Sequence, residues 1–154
     1  MASGMILAAG LGTRLRPLTD ELPKPLVPLG DRPMIAHAAA RLAAAGVAPL
    51  AFNVHHLADA FASAALDGLG LVALREPRIL GTAGGVANAR RVLGPGEVVV
   101  WNGDLAADLD VGALLGAHVA RGLAATLAVA PRPRGEGTVG LDAGGRVVRL
   151  RGER

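Results

Sequence analysis

Apolar residues fall in short runs broken by glycine, proline and polar clusters. Met5–Ala9 (MILAA) is a continuous apolar run ending at Gly10, and it predicts a buried strand. Ala48–Val54, Leu69–Leu74, Glu97–Trp101 and Ala124–Ala130 predict further strands. Ile35–Ala45, Leu57–Leu66, Val86–Leu93 and Val111–Arg121 predict the helices between them. Pro33 suits the first turn of the helix over 35–45 and Gly46 its C-terminal stop. His56 stands where the next helix opens, and Asp110 is the expected N-cap of 111–121. Thr138–Leu141 and Arg146–Leu150, joined by Asp142-Ala143-Gly144-Gly145, predict a β-hairpin. Strands alternating with helices predict an α/β fold with a three-layer, mainly parallel but mixed sheet. No repeat and no internal linker interrupts the pattern, so residues 1–154 read as a single domain.

Three segments stand out from this frame. Gly10–Pro33 is a long irregular connection containing Gly12, Pro17, Pro23, Pro25, Pro28 and Gly30, and connections of that length in compact domains are commonly functional. Leu80–Gly85 (LGTAGG) reads as a second glycine-rich loop, and Asn102-Gly103-Asp104 follows the fourth strand. Ligands of open α/β sheets bind beyond the carboxyl ends of strands, where all three segments are expected. Together they describe one face.

Composition narrows the classes. The chain has 154 residues, 51% of them hydrophobic, enough for one core. No uninterrupted apolar run approaches the roughly 18 residues of a membrane helix, and no cationic flank precedes a long apolar stretch. A soluble cytoplasmic domain without membrane contact is the expectation. The absence of cysteine rules out disulfides and thiolate metal sites within this sequence. The net charge of +3 lies wholly in the last 24 residues, where six arginines face Glu136, Asp142 and Glu153. With aromatic residues at 2%, that tail offers little surface for base stacking, which disfavours nucleic acid as a partner. Of the 16 basic residues only Lys24 is a lysine. In so arginine-rich a chain, a lone lysine suggests a position where a planar fork does not serve.

Gly10 and Gly12 let the backbone turn tightly and present N–H groups to anionic oxygens, with Arg14 and Lys24 adding positive charge beside them. The segment fits neither G-x-G-x-x-G, since position 15 is Leu, nor a Walker A loop. His55 and His56 are adjacent on an extended chain and point to opposite faces, so a shared metal is not expected. Asn53 and His56 read as braces for the loop, with a sugar-edge role as the alternative. His37 and His118 fall in helices as surface or packing residues, and Trp101 reads as core. Ser3 and Ser63 are the only serines, one terminal and one in an expected helix, and no Ser/His/Asp triad can be assembled.

The string LAAGLGTRLRPLTDELPKPLVPLGDRPMI resembles the signature of the sugar-1-phosphate nucleotidyltransferases, or NDP-sugar pyrophosphorylases. The nearest flavours are mannose-1-phosphate guanylyltransferase and N-acetylmuramate-1-phosphate uridylyltransferase. LGTAGG and WNGD match two further motifs in the expected order, and NVHHL resembles a recurrent element between them. The resemblance implies a Rossmann-like nucleotidyltransferase fold, of which the chain would cover the N-terminal two thirds and end early. It implies that Leu7, Ala8, Ala9 and Gly10 face the nucleoside, and that Gly12, Thr13 and Arg14 wrap the β- and γ-phosphates. Lys24 would sit over the α-phosphate and the attacking sugar phosphate, making Arg14 and Lys24 the catalytic pair. Gly84 and Gly85 would lie against base and ribose, and Asp104 would hold Mg²⁺. The partners implied are an NTP and a sugar-1-phosphate, with a homo-oligomer left open.

Two departures matter. The family usually takes a second Mg²⁺-binding Asp and most sugar contacts from a segment beyond residue 154. Many members also carry a Glu-Lys-Pro after the hairpin, where this chain has Arg151-Gly152-Glu153-Arg154. Asp108 and Asp110 lie near Asp104 in sequence but read as capping or turn residues. The expectation is therefore nucleotide recognition separated from catalysis. The alternatives are a non-catalytic nucleotide or NDP-sugar binding module, or an inactive fragment of the enzyme.

Overall fold

The computed structural model describes residues 1–64, 66, 68–133 and 136–150. The chain divides into two compact units, Met1–Val111 and Gly112–Arg154, where the sequence alone reads as one domain.

The first unit is built on a four-stranded parallel sheet in the order β5-β4-β1-β6, with β1 Ser3–Leu7, β4 Leu50–Val54, β5 Leu71–Arg75 and β6 Val98–Asn102. β1 begins and ends two residues earlier than its apolar run predicts. The reason is a competing acceptor: the Ala8 N–H donates to the Asn53 side chain at 2.8 Å, so ladder pairing stops at Leu7. At the other end Ser3 and Gly4 are drawn into the sheet because β1 has a partner on each side. A Cβ on Gly4 would stand 2.6 Å from Leu50 Cδ2, so glycine is what lets this strand pack there.

Helices cover both faces, as the alternating pattern predicts. α2 (Met34–Ala44) buries Ile35, Ala38, Ala39 and Leu42, and Leu42 and Val47 approach the Gly4 side of the sheet. Its end is a Schellman cap: Gly46, at φ 73°, donates to the Ala43 carbonyl while Val47 donates to that of Leu42. The opposite face of β1 carries Met5, which clusters with Ala51, Ala89 and Leu93. Ala89 joins α4 (Gly81–Asn88) to α5 (Arg90–Leu93). Here the sequence reading needs correction. LGTAGG is not a loop preceding a helix at 86, because all but its leucine lies in the first turns of α4. Close packing beneath Gly85, described below, outweighs the helix-propensity cost of about 1 kcal/mol per glycine.

The long connection after β1 is locally ordered. It contains a 3-10 turn at Thr13–Leu15, the short helix α1 (Leu18–Glu21) and a second 3-10 turn at Lys24–Leu26. A two-residue ribbon follows, β2 (Pro28–Leu29) antiparallel to β3 (Arg32–Pro33). α3 (Ala58–Ser63) fills part of the expected helix over 57–66, of which residue 65 lies outside the described residues. No helix among the described residues is long and apolar enough to cross a membrane.

The second unit holds α6 (Val111–Arg121) from its second residue onward, and the hairpin β7 (Gly140–Leu141) and β8 (Val147–Arg149). Asp142 Oδ1 closes the hairpin turn by accepting from the N–H groups of Gly144 and Arg146. The strand expected over Ala124–Ala130 does not form among the described residues. Among the described residues no neighbouring strand supplies a ladder, and Leu127 and Val129 are about half exposed (51% and 47%).

Candidate active site

The strand order places β1 between β4, reached first, and β6, reached last, so the chain reverses its direction of progress across the sheet at β1. A crevice opens at such a switch point beyond the carboxyl ends of the strands. A cleft of about 500 Å³ occupies it, lined by the β1–α1 loop from Leu7 to Leu15, by Lys24, Asn53, Asn102 and Asp104, and by Ile79, Gly81 and Thr82.

The first loop turns sharply at Gly12, whose φ of 66° lies in the left-handed region. A Cβ there would also stand 2.8 Å from Thr19 Cγ2. The buried Thr19 hydroxyl donates to the Gly12 carbonyl at 2.8 Å, and the Leu15 N–H donates to the same carbonyl at 2.9 Å. The turn leaves Thr13 and Arg14 exposed, and Arg14 forms no ion pair among the described residues. Gly10 has open space where a side chain would project.

WNGD follows the same logic. The Gly103 N–H donates to the Leu7 carbonyl at 2.9 Å. A Cβ on Gly103 would stand 3.0 Å from that oxygen and 3.3 Å from Ile6 Cγ2. Glycine thus lets the end of β6 close onto the end of β1, which delivers Asp104 to the cleft. There its Oδ2 accepts from Lys24 Nζ at 2.5 Å, with both side chains about one-third exposed. Trp101 is core, as expected, and its indole N–H donates to the Leu105 carbonyl at 3.0 Å.

Of the residues singled out from the sequence, Leu7, Ala8, Ala9, Gly10, Gly12, Thr13, Arg14, Lys24 and Asp104 line this one cleft. Gly84 and Gly85 do not. Gly84 faces Leu80, and Gly85 is buried against Asn53 and Glu76, where a Cβ would meet Asn53 Nδ2 at 2.9 Å. Gly81 and Thr82 of α4 reach the cleft in their place. Asp108 pairs with Arg41 at 3.0 Å in another groove, which also holds His37. Asn53 and His56 do brace the loop: Asn53 Oδ1 holds the Ala8 N–H, and His56 Nε2 bonds the Thr19 carbonyl at 3.1 Å. His55 turns the other way, onto the Glu76 carbonyl.

Sequence reasoning passed over Glu76. It is 2% exposed, accepts from Asn53 Nδ2 at 2.8 Å through Oε1, and accepts from the Leu80 N–H at 3.0 Å through Oε2. The only signal was an acidic residue just before a proline at a strand end, which reads equally well as a solvated turn. Among the described residues no three His, Asp or Glu side chains converge as a metal site.

Comparison with known proteins agrees with this geometry. The Nucleotidyl transferase family matches residues 3–151. Mannose-1-phosphate guanyltransferase of Candida albicans is 40% identical over 80% of this chain and 36% of its own length. Mannose-1-phosphate guanylyltransferase of Mycobacterium tuberculosis is 36% identical over 94% of this chain and 42% of its own length. N-acetylmuramate alpha-1-phosphate uridylyltransferase of Caulobacter vibrioides is 42% identical over 65% of the chain and 44% of its own length. The chain thus spans less than half the length of these relatives. Among solved structures, HddC from Yersinia pseudotuberculosis complexed with GMP-PN superposes with a TM-score of 0.67 at 27% identity, covering 77% of this chain and 55% of that one. A second HddC structure from Yersinia pseudotuberculosis shares the fold over 99% of this chain and 71% of that one, with a TM-score of 0.75 at 24% identity. From the first loop through the β6 end, the fold and the sequence lead to one assignment: the chain belongs to the nucleotidyl transferase family.

Proposed function

We propose that the cleft binds a nucleoside triphosphate and serves an enzyme that transfers a nucleotidyl group to a sugar-1-phosphate. The observation that carries this reading is the pairing of Lys24 with Asp104 at the switch-point crevice, beside the Gly12 turn. The relatives named as guanylyl- and uridylyltransferases support the same reaction class.

The chemistry follows from the residues. In the proposed reaction a sugar phosphate oxygen forms a bond to the α-phosphorus as the bond to the bridging oxygen breaks, and pyrophosphate leaves. Such a reaction needs reactants in line and negative charge neutralised, with no covalent protein intermediate. The turn at Gly12 and the exposed Arg14 hold the outer phosphates. Lys24 Nζ, a compact point charge, holds the α-phosphate oxygen and that of the incoming sugar phosphate.

Asp104 is the residue that would hold Mg²⁺. A single carboxylate lining the cleft fits an ion that keeps several waters and completes its shell with substrate phosphates. When bound, the ion would neutralise developing phosphate charge. Asp108, tied to Arg41 outside the cleft, is not placed to join it.

Calorimetric titration of the chain with GTP, UTP, CTP and dTTP, with and without Mg²⁺, tests the reading. Binding of at least one NTP, tightened by Mg²⁺ and weakened by Asp104→Ala, is expected. Absence of NTP binding would overturn the reading. Pyrophosphate release on adding mannose-1-phosphate or N-acetylmuramate-1-phosphate then separates a transferase from a binding module.

A further inference from the structure

The two walls of the cleft come from different parts of the chain. One is the end of β1 and its loop, starting at Ala8. The other is the start of α4, where Ile79, Gly81 and Thr82 face the cleft. β4 and β5 lie between their points of attachment, and one hydrogen-bonded relay crosses the gap. The Ala8 N–H donates to Asn53 Oδ1, Asn53 Nδ2 donates to Glu76 Oε1, and the Leu80 N–H donates to Glu76 Oε2, at 2.8, 2.8 and 3.0 Å. Asn53 and Glu76 are 3% and 2% exposed. Water is therefore excluded, and each lost bond leaves a buried polar group unpaired. Gly85 closes over the relay with space for a hydrogen only, since a Cβ would meet Asn53 Nδ2 at 2.9 Å and Glu76 Oε1 at 3.3 Å.

We propose that Glu76 is a positioning residue for the nucleotide cleft: through Asn53 on one side and Leu80 on the other, its buried carboxylate fixes the spacing between the β1 loop and α4. The proposal rests on the nucleotide reading of the cleft given above. Glu76 does not itself line the cleft. It holds the wall containing Ala8 and the wall containing Gly81 and Thr82 at the separation a bound nucleotide meets, so the cleft is preorganised before the ligand arrives. An ordinary structural residue in the same place would support the fold without affecting affinity once the protein is folded.

The donor arithmetic of the relay supplies a specific test. The carboxylate accepts from two donors, and the carboxamide of Asn53 accepts from one and donates to the other. Glu76→Gln must turn an NH₂ toward a donor somewhere, whichever way either amide is flipped. Asn53→Asp sets two carboxylates face to face. The double variant Asn53→Asp with Glu76→Gln restores every bond, with only the central one reversed: Asp accepts from Ala8 and from the new amide, whose oxygen accepts from Leu80.

Calorimetry with Mg²⁺ and GTP, with UTP, CTP and dTTP alongside, would be run on the wild-type chain, both single variants, the double variant and Leu42→Ala. Leu42 is a fully buried residue of α2 and serves as a destabilised control remote from the relay. All affinities are taken on folded protein well below its melting temperature. We expect each single variant to bind about tenfold more weakly, the double variant to return within about threefold of wild type, and Leu42→Ala to bind like wild type. If a single variant does not fold, the double variant decides. Wild-type affinity in the single variants, or a double variant no better than they are, overturns the proposal while leaving the nucleotide reading intact. No NTP binding by the wild-type chain overturns both.

Discussion

Lys24 Nζ lies 2.5 Å from Asp104 Oδ2, although 80 residues of chain separate them. One comes from the loop after the central strand and the other from the end of the edge strand β6. In the free protein the two charges satisfy each other. On the proposed reading, a phosphate and a divalent cation arriving together would exchange partners with the pair, the anion going to Lys24 and the cation to Asp104. Either alone would leave one side chain without its counter-charge.

That pairing sets the expectation for Lys24. Lys24→Ala, in a form of the protein competent for transfer, should lower kcat by about 10²-fold or more, the size of effect seen when a charge-stabilising donor is removed. Lys24→Arg should restore little, because a planar fork does not superpose on a point charge held 2.5 Å from a carboxylate. Steady-state pyrophosphate release measures both, and an arginine variant with near-normal turnover would contradict the assignment.

Gly103, beside the cleft, and Gly10, which lines it, should respond in opposite ways. Gly103→Ala forces a methyl group to within 3.0 Å of the Leu7 carbonyl oxygen, and overpacking of this kind costs about 1–3 kcal/mol of stability. Its melting temperature should fall. Gly10→Ala meets nothing within 4 Å and should melt like wild type, while its methyl group projects where the nucleotide is expected and weakens binding. Thermal melts paired with NTP titrations distinguish the two, and an unchanged NTP affinity in Gly10→Ala would remove that residue from the site.

Thr19→Val keeps the shape of a buried side chain and deletes the hydroxyl that donates to the Gly12 carbonyl. The loss of one neutral hydrogen bond costs about 0.5–1.5 kcal/mol. The effect should be local, because the same carbonyl accepts from the Leu15 N–H. Amide exchange at Leu15 should accelerate while exchange at Met5 and Ala51, within the sheet, stays slow. Uniform acceleration across the sheet would show that Thr19 supports the whole unit rather than the turn.

The sheet and the cleft were legible in the sequence to different depths. The apolar runs of β1, β4, β5 and β6 were each evident within a few residues. In β1 and β4 the continuous hydrophobicity reflects burial on both faces, whereas β5 and β6 keep an apolar run with several positions exposed. The first loop and WNGD were evident because their glycines and charged residues have few other uses in combination. What escaped was set by tertiary contact. LGTAGG has the composition of a loop, yet all but its leucine stands in a helix whose Gly85 packs onto Asn53 and Glu76. Ala124–Ala130 has the pattern of a strand and lacks a ladder partner among the described residues. Glu76 was invisible because burial of a carboxylate depends on donors at positions 53 and 80, which no local window contains.

The order of the strands also bears on synthesis. A chain made from its N-terminus presents β1, the Gly12 turn and Lys24 early, yet the residue that pairs with Lys24 emerges only after β6. Until then β1 has one neighbour instead of two, and the Leu7 carbonyl that accepts from Gly103 lacks that donor. The cleft is therefore among the last features of the first unit to assemble. A nascent chain stalled before residue 98 would carry the whole of the loop's sequence without the strand end that completes the cleft.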